Sequence, residues 1–265
     1  MTRKADHTFV IVAHKNSIFL EGCIRSVLNQ TIKSGVKICT STPTKLVCNL
    51  GKKYKIKVLV NMENSGIGND WTFAYNNCNT KYCTLAHQDD TYLQDYTKTC
   101  LETVNKHPNN LITFTDYFEQ GALNALPVSF NLIVKRASLK VNFWFKQKLE
   151  KPWRKRLLTS FGSPISCPSV MYNKKNIGRF GFDNDLKVNL DWDAWYKLSA
   201  KKGSFLYIPK KLIKHRIHNE SETHKAIKCG VRKKEDMLMF NKLWPKEIAK
   251  ILHILYSWSY RSENY

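Results

Sequence analysis

The sequence predicts an α/β protein whose mostly parallel central sheet is flanked by helices and followed by a helical C-terminal appendage. Apolar runs rich in β-branched residues recur between residues 9 and 86, which is typical of strands buried on both faces of a parallel sheet. Segments in which apolar residues recur at near-helical spacing separate these runs. A chain of 265 residues with 43% hydrophobic content can also bury one full core.

The chain opens with one βα unit. Residues 9–13 form an unbroken apolar run, which predicts a buried strand with a ligand site beyond its end. A helix is predicted over residues 17–30, because apolar residues recur at near-helical spacing and Ser17 can cap the first turn.

Three more strands and a helix follow. The strands are predicted at residues 36–40, 56–60 and 82–86, and the helix at residues 69–77. Thr42 and Pro43 stop the second strand, and Asn64-Ser65-Gly66 closes the third. Ligands of open α/β sheets bind beyond the carboxyl ends of the strands, so the polar residues at these ends are expected to converge on one cleft.

Two later segments mix apolar or aromatic residues with positive charge. Residues 135–160 contain nine basic residues and one acidic residue, and residues 248–260 repeat the amphipathic pattern. Such segments are typical of a membrane interface, although a solvated helix with one face on the core explains residues 135–160 equally well. Neither can span a bilayer, which requires about 20 consecutive, predominantly apolar residues.

The domain organisation follows from these patterns. Residues 1–225 are predicted to form the catalytic domain, with one half at residues 1–100 and another at residues 101–225 that includes the basic insert 135–160. Residues 226–265 are predicted to form a C-terminal helical segment that contacts a membrane.

The charge of the chain favours polyanionic partners. Lysine and arginine exceed aspartate and glutamate by 22, a balance that suits anionic lipid, nucleic acid or phosphorylated substrates. Lysine outnumbers arginine, however, whereas groove-reading proteins recruit arginine. A nucleic-acid-binding module therefore stays open as an alternative, and an anionic membrane surface is the preferred partner.

The cysteines indicate a reducing compartment. The eight residues form no Cys-x-x-Cys pair, and the apolar run after the polar N-terminus is too short for a signal peptide. The sequence therefore predicts reduced structural thiols and a cytoplasmic protein.

The first candidate for chemistry is His87-Gln88-Asp89-Asp90, directly after the fourth strand. Oxygen ligands on such a loop can hold a hard divalent cation whose remaining sites accept substrate phosphates. A turn or a helix cap explains an Asp-Asp pair as well.

The second candidate is the pair Asp191 and Asp193, which lie among apolar residues. Buried carboxylates are costly unless they are paired or functional, so one of them is a candidate general base. Alternatively, Asp191 starts a helix as its N-cap.

The third candidate follows the apolar region 205–213. If residues 215–218 are extended, Arg216 and His218 share one face, where a fixed cation for a diphosphate lies beside an imidazole for a metal.

In their order along the chain, these motifs resemble those of family 2 glycosyltransferases, which have the GT-A fold. Residues 9–31 resemble the first strand, loop and helix of that family. The other matching segments are residues 64–67 (its Asn-x-Gly segment), 82–90 (the strand leading into Asp-x-Asp), 191–195 (the acidic acceptor-site motif) and 216–218 (the late basic motif).

Two departures from the family pattern affect the donor and the metal. Thr40-Ser41-Thr42-Pro43 replaces the usual Asp-Asp-Gly-Ser loop, so hydroxyl groups stand where a carboxylate commonly grips the base or ribose. His87-x-Asp89 replaces Asp-x-Asp, which lowers the negative charge around the metal.

The resemblance implies an inverting transferase that moves a hexose or deoxyhexose from a nucleoside-diphosphate sugar to a hydroxyl of a glycan or lipid-linked acceptor. It implies Asp191 as the general base, with Asp193 as the alternative. A divalent cation, Mn²⁺ or Mg²⁺, is expected on Asp89, with His218 and His87 as further ligands. The expected donor-binding residues are Ala13, His14, Asn16, Thr40, Ser41, Thr42, Gly66, His87 and Arg216.

The same resemblance implies polysaccharide biosynthesis by a peripheral protein on the inner face of the cell membrane, without nucleic acid as a partner. A catalytically inactive scaffold of a glycan-assembly complex is the remaining alternative, because the loop at residues 40–43 and His87 are altered.

Overall fold

The computed structural model describes residues 6–62, 66–121, 128–144, 146–218 and 221–258. The strands are β1 (His7–Ala13), β2 (Gly35–Thr40), β3 (Lys57–Val60), β4 (Tyr82–His87), β5 (Thr91–Tyr92), β6 (Asn110–Gln120), β7 (Lys148–Leu149), β8 (Val170–Asn173) and β9 (Ser204–Arg216). The helices are α1 (Leu20–Leu28), α2 (Lys45–Lys53), α3 (Ile67–Asn76), α4 (Tyr96–Lys106), α5 (Phe130–Asn142), α6 (Pro152–Thr159), α7 (Lys174–Ile177), α8 (Leu190–Ser199), α9 (Glu222–Lys228), α10 (Val231–Leu243) and α11 (Lys246–Trp258).

One central sheet joins all these strands and confirms the predicted α/β class. Its order is β3-β2-β1-β4-β8-β6-β9-β5, and β7 pairs with β9. The first four strands in this order are parallel. The other half is mixed, because β8 runs antiparallel to β4 and β6 while β6 and β9 are parallel.

The first strand is buried on both faces, as its composition predicts. Phe9 and Ile11 point into one apolar core, and Val10 and Val12 point into the other. This alternation is the period-two geometry of a strand. Apolar packing therefore covers both faces of β1, and a ligand can approach this strand at its carboxyl end.

Two local expectations near the N-terminus need correction. Helix α1 begins at Leu20 and not at residue 17, because the Ser17 hydroxyl accepts the N–H of Phe19, two residues ahead, and caps no turn of the helix. Helix α2 was not predicted at all. It begins after Thr44, whose hydroxyl accepts the N–H of Val47 at 3.3 Å as an N-cap.

The basic insert at residues 135–160 is not one amphipathic segment. It is divided among α5, the short strand β7 and α6, which Pro152 begins at a position that proline favours. Lys155 is fully buried, and its amine donates to the carbonyl oxygens of Lys201 and Gly203 at 2.6 and 2.8 Å. Burial lowers the pKa of Lys155 to about 8. This lysine is therefore a structural cation and cannot contact a membrane.

Helices α10 and α11 form a hairpin at the C-terminal end of the described residues. They are antiparallel, since His253 Nε2 near the end of α11 lies 2.9 Å from the carbonyl oxygen of Lys233 near the start of α10. A small apolar core joins this hairpin to α8 through Trp192, Met239, Phe240 and Ala249. The predicted boundary between residues 225 and 226 falls inside α9.

Among the described residues, no helix combines the length and the apolarity that a bilayer span requires. Tyr260, which belongs to the predicted amphipathic segment 248–260, lies outside the described residues.

Candidate functional site

The carboxyl ends of β1, β2 and β4 lie at one edge of the sheet. The register pairs Ala13 with Thr40 and Val12 with His87, so the three strands end side by side. The loops that follow contact each other across this edge. His14 N donates to Gln88 Oε1 at 3.0 Å, and Lys15 N donates to Thr42 Oγ1 at 2.5 Å. The expected convergence of Ala13, His14, Thr40 and Thr42 with the loop that begins at His87 is therefore present.

A carboxylate contacts the loop at residues 40–43, where hydroxyl groups stand in place of the acidic residues of the family pattern. Asp70, in the first turn of α3, accepts the Ser41 hydroxyl at 2.6 Å and the Asn61 amide at 2.9 Å. Asp70 is not among the site residues expected from the sequence. Its position four residues after Gly66 was the available signal, because Gly66 is the N-cap of α3 and a first-turn acid faces the same sheet edge.

His87, Asp89 and Asp90 form a compact group of possible cation ligands. One ligand atom from each lies within 4.8 Å of the others. Asp90 is fully buried and accepts the N–H of Arg216 at 2.8 Å, and His215 Nδ1 lies 3.0 Å from the same carboxylate. Although burial lowers the pKa of His215, the charge and hydrogen bond of Asp90 outweigh it, so this pKa lies above its usual value.

Arg216 and His218 meet Asp89 from one side, as the period-two argument predicts. His218 Nε2 lies 2.9 Å from Asp89 Oδ2, and Arg216 Nε donates to the Asp89 carbonyl oxygen at 3.0 Å. Both side chains also contact the ring of Phe19. Burial acts to raise the pKa of Asp89, but the bond to His218 and the nearby imidazoles of His87 and His215 outweigh it and hold this pKa below its usual value.

This arrangement fits a divalent cation. His87 Nε2 is buried without a hydrogen-bond partner among the described residues, and the ring lies 4.9 Å from that of Trp71. Burial lowers the pKa of His87, which favours the neutral imidazole that binds metals. One imidazole nitrogen and two carboxylates form a donor set typical of such ions.

The two acids of α8 differ in their partners. Asn189 occupies the N-cap, so the alternative in which Asp191 is the cap is wrong. Asp193 is buried between two lysines, with Lys197 Nζ at 2.6 Å and Lys242 Nζ at 2.7 Å from its two oxygens. Asp191 accepts the N–H of Trp192 at 2.6 Å, and burial raises its pKa against the opposing charge of Arg232. A raised carboxyl pKa is a property of many general bases.

Shared neighbours bring Asp191 and the cation group to one region. The Cys167 thiol, whose pKa is raised first by burial, feels the charges of both Asp191 and Asp90. The charge of Lys135 likewise acts on both Asp191 and His215. The candidate base therefore shares Cys167 as a neighbour with Asp90, and Lys135 as a neighbour with His215.

The remaining expected residues differ in how closely they join this site. Ser41 and Gly66 contribute through Asp70 and the start of α3. Asn16 is exposed on the loop after β1 and has no hydrogen bond to another described residue. Asn64 and Ser65 lie outside the described residues.

Comparison with known proteins gives a family and a fold. The family model described as Glycosyl transferase family 2 matches residues 8–170. The structure is similar to that of S. aureus TarS 1-349 in complex with UDP-GlcNAc, with a TM-score of 0.63 and 12% identity over 93% of this chain and 70% of that one. It is also similar to the mannosyltransferase PcManGT from Pyrobaculum calidifontis in complex with GDP-Man and Mn²⁺, with a TM-score of 0.60 and 11% identity over 95% and 69% of the two chains. No curated protein matches the sequence significantly.

Proposed function

This chain belongs to glycosyl transferase family 2, and from that premise we propose that it is an inverting glycosyltransferase. It moves a hexose or deoxyhexose from a nucleoside-diphosphate sugar to a hydroxyl group of a glycan or lipid-linked saccharide. The observation that carries the proposal is the group of His87, Asp89 and Asp90, which lies at the sheet edge with Asp191 in electrostatic range of its neighbours. The bound UDP-GlcNAc and GDP-Man of the two similar structures support a nucleotide-sugar donor.

The donor diphosphate binds across the carboxyl ends of β1, β2 and β4. The loops at residues 13–16 and 40–42 line this edge, and Gly66 allows close backbone approach at the start of α3. Arg216 adds a fixed positive charge beside Asp89, where the charge of a diphosphate needs compensation.

A divalent cation, Mn²⁺ or Mg²⁺, would be held by His87, Asp89 and Asp90, with His218 oriented against Asp89. When bound, such an ion stabilises negative charge on the diphosphate. The Mn²⁺ in the mannosyltransferase structure supports this cofactor.

Asp191 removes the proton of the acceptor hydroxyl. The hydroxyl oxygen forms the new bond to the anomeric carbon as the bond from that carbon to the diphosphate oxygen breaks, and the electron pair leaves with the diphosphate. A single displacement from the opposite face inverts the anomeric centre.

The protein works at the inner face of a membrane. Exposed aromatic side chains on and after α5 and α6 include Trp144, Trp153 and Phe161, and the guanidinium of Arg154 lies over the ring of Trp153. Helix α11 exposes a second apolar set that includes Ile251 and Trp258. Exposed aromatic and apolar residues with adjacent positive charge support interfacial binding.

Turnover tests the proposal directly. UDP-, GDP-, dTDP- and CDP-linked sugars are offered with Mn²⁺ or Mg²⁺, and release of nucleoside diphosphate is measured. We expect one nucleotide class to be hydrolysed or transferred. If no donor reacts, calorimetry with the same nucleotides and Mn²⁺ identifies an inactive scaffold by binding without turnover, whereas a nucleic-acid-binding module shows neither.

Asp89→Ala is expected to abolish transfer and Mn²⁺-dependent nucleotide binding together, because the variant loses a hard ligand and the partner of His218. His87→Ala should impair activity without abolishing it, since both carboxylates remain. Calorimetry with UDP and GDP, with and without Mn²⁺, measures both effects. Equal Mn²⁺-dependent affinity in Asp89→Ala and the parent protein would rule out this role.

A further inference from the structure

The segment that leads into the candidate base is held by one side chain of the C-terminal hairpin. The buried Glu235 carboxylate of α10 accepts three consecutive backbone N–H groups, from Lys187 at 2.7 Å, Val188 at 3.0 Å and Asn189 at 2.9 Å. The next residue, Asp236, accepts the side-chain amide of Asn189 at 2.7 Å. The N-terminus of α8 is therefore fixed in position by α10.

The hairpin also holds the residues that follow Asp191. The buried Trp192 indole packs edge-on against Phe240 of α10, with ring centroids 5.1 Å apart, and lies 5.8 Å from the ring of Tyr256 of α11. Lys242, near the end of α10, forms one of the two ion pairs of Asp193. The chain is thus anchored by the hairpin immediately before and immediately after Asp191.

The hairpin also places a positive charge beside the base. Arg232, in the first turn of α10, pairs with Asp236 at 3.2 Å and interacts with the Tyr256 hydroxyl of α11. Its guanidinium is largely buried, and its partner Asp236 also binds the side chain of Asn189, two residues before Asp191.

We propose that the α10–α11 hairpin is part of the catalytic site, as the platform that fixes the general base, and that Arg232 is a positioning residue that stabilises the ionised Asp191 carboxylate. The inference rests on the proposed role of Asp191 as the base. Desolvation raises the pKa of a carboxyl group and a nearby cation lowers it, and the protonated form of the group cannot accept the acceptor's proton.

Among the groups near Asp191, two cations can stabilise its ionised carboxylate. The charge of Asp191 acts on Cys167, Tyr172 of β8 and Tyr256 of α11, but burial is the main cause that raises the pKa of each, so each stays neutral at physiological pH. Two cations lower the pKa of Asp191, Arg232 of α10 and Lys135 of α5, and Arg232 has the larger effect even though it is paired with Asp236.

The test is the pH dependence of kcat/KM for Arg232→Gln in the full chain. Removing a cation near a carboxylate raises its pKa by about one unit or more, so the acid limb of the profile should move to higher pH by that amount. Arg232→Lys keeps the charge and should restore the limb toward the parent position. Lys234→Gln is the matched control, because it removes the same charge from the exposed face of the same helix and should leave the limb in place.

An unchanged acid limb in Arg232→Gln, or an equal shift in Lys234→Gln, overturns the inference while the transferase proposal stands. If Arg232→Gln does not fold, Arg232→Met decides, because it removes the charge and keeps an unbranched side chain of similar length. An upward shift in that variant supports the inference and an unshifted limb overturns it. Absence of turnover in the parent protein overturns the proposed function, and the role of Asp191 with it.

Discussion

Asp191 and Asp193 are two residues apart on α8, yet their surroundings give them different chemistry. Two lysine ammonium groups form ion pairs with Asp193 and occupy both of its oxygens. Asp191 accepts only a backbone N–H from its neighbour among the described residues, and burial raises its pKa. The Asp193 carboxylate is therefore suited to stabilising the structure, and the Asp191 carboxylate to accepting a proton.

Asp191→Asn is therefore expected to keep donor binding and lose transfer by roughly 10²–10⁴-fold, because an amide preserves the shape but cannot accept the proton. Asp193→Asn should mainly lower stability, since it leaves two lysines without their buried partner. Transfer rates and thermal unfolding midpoints of both variants separate the two effects. If Asp193→Asn is the inactive variant and Asp191→Asn works normally, the base is Asp193.

For single residues, local sequence patterns predict which side chains share a face, but they do not predict contacts with residues that are distant in the sequence. The placement of Arg216 and His218 on one face follows from local period-two geometry, and both do contact Asp89. The partner of Asp193, Lys242, is 49 residues away on another helix, and no local pattern indicates such a pairing. The same holds for Asp70, whose approach to Ser41 depends on how α3 packs against the sheet.

Helix α3 depends on one glycine for its start. Gly66 is the N-cap with φ of +130°, a conformation that residues with a Cβ rarely adopt, although no atom crowds the position. Gly66→Ala should therefore lower the free energy of unfolding by more than about 1 kcal/mol and weaken nucleotide binding. Urea denaturation and calorimetry measure the two effects.

Gly22→Ala is the matched control for this element. Gly22 lies in α1 with nothing within 4 Å of an added Cβ and with no positive φ, so the substitution should be neutral or stabilise by up to about 1 kcal/mol. Equal effects of the two substitutions would show that the backbone at Gly66 is unstrained.

The division of the basic insert changes the membrane prediction. Because Lys155 is buried, the residues available to an anionic leaflet include Lys151, Arg154 and Arg156. Replacing all three with glutamine should weaken co-sedimentation with anionic vesicles at low salt, since each charge contributes about 1 kcal/mol near such a surface. Zwitterionic vesicles should not bind the parent protein.

The control is a triple variant that also removes three positive charges, but from a different part of the surface. Lys45, Lys52 and Lys57 are exposed on α2 and β3, at the edge of the sheet opposite β5 and β9. Their replacement with glutamine should leave vesicle binding nearly intact. Comparable losses in the two triple variants would mean that net charge, and not the α5–α6 surface, determines binding.

The elements that the sequence predicts well are those with strong periodicity. The strands at residues 36–40 and 82–86 match β2 and β4 within one residue. The errors concern helix starts and a short helix: Ser17 is followed by a turn before α1, and α2 has only nine residues. Local hydrogen bonds of single hydroxyl groups decide these boundaries, and serine and threonine can make them in several backbone conformations.

The stability of the whole molecule depends on a histidine, His7, at the start of strand β1. His7 is fully buried, its ring nitrogens lie 2.8 Å from Ser34 Oγ and 3.0 Å from Thr84 Oγ1, and burial lowers its pKa to about 3. In the unfolded chain this pKa is about 6.5. Below that pH the unfolded chain binds a proton that the folded protein does not, so stability is full above pH 6.5 and falls as the pH is lowered toward 3.

Between pH 7 and pH 5 the parent protein should therefore lose roughly 2 kcal/mol of unfolding free energy through this residue. His7→Gln should lose less over the same interval, whatever its stability at pH 7. Urea denaturation at both pH values gives the comparison, and parallel losses in the two proteins would exclude His7 as the cause.

The fold class follows from the sequence because alternating strands and helices leave few connected α/β topologies. The mixed half of the sheet was less predictable, since the four-residue strand β8 takes its direction from its neighbours β4 and β6. The attachment of the C-terminal hairpin to α8 was also beyond the pattern, because buried contacts such as those of Glu235 join residues 46 to 48 positions apart.

The cysteines offer a practical route to observing that hairpin. Six of the eight side chains are buried, Cys48 is partly exposed, and Cys229 is exposed at the end of α9, two residues before α10 begins. A thiol-reactive dye should therefore label the native chain chiefly at Cys229 without engineered mutations. The fluorescence of the dye would then report, in real time, whether the start of α10 moves when nucleotide, acceptor or lipid is added.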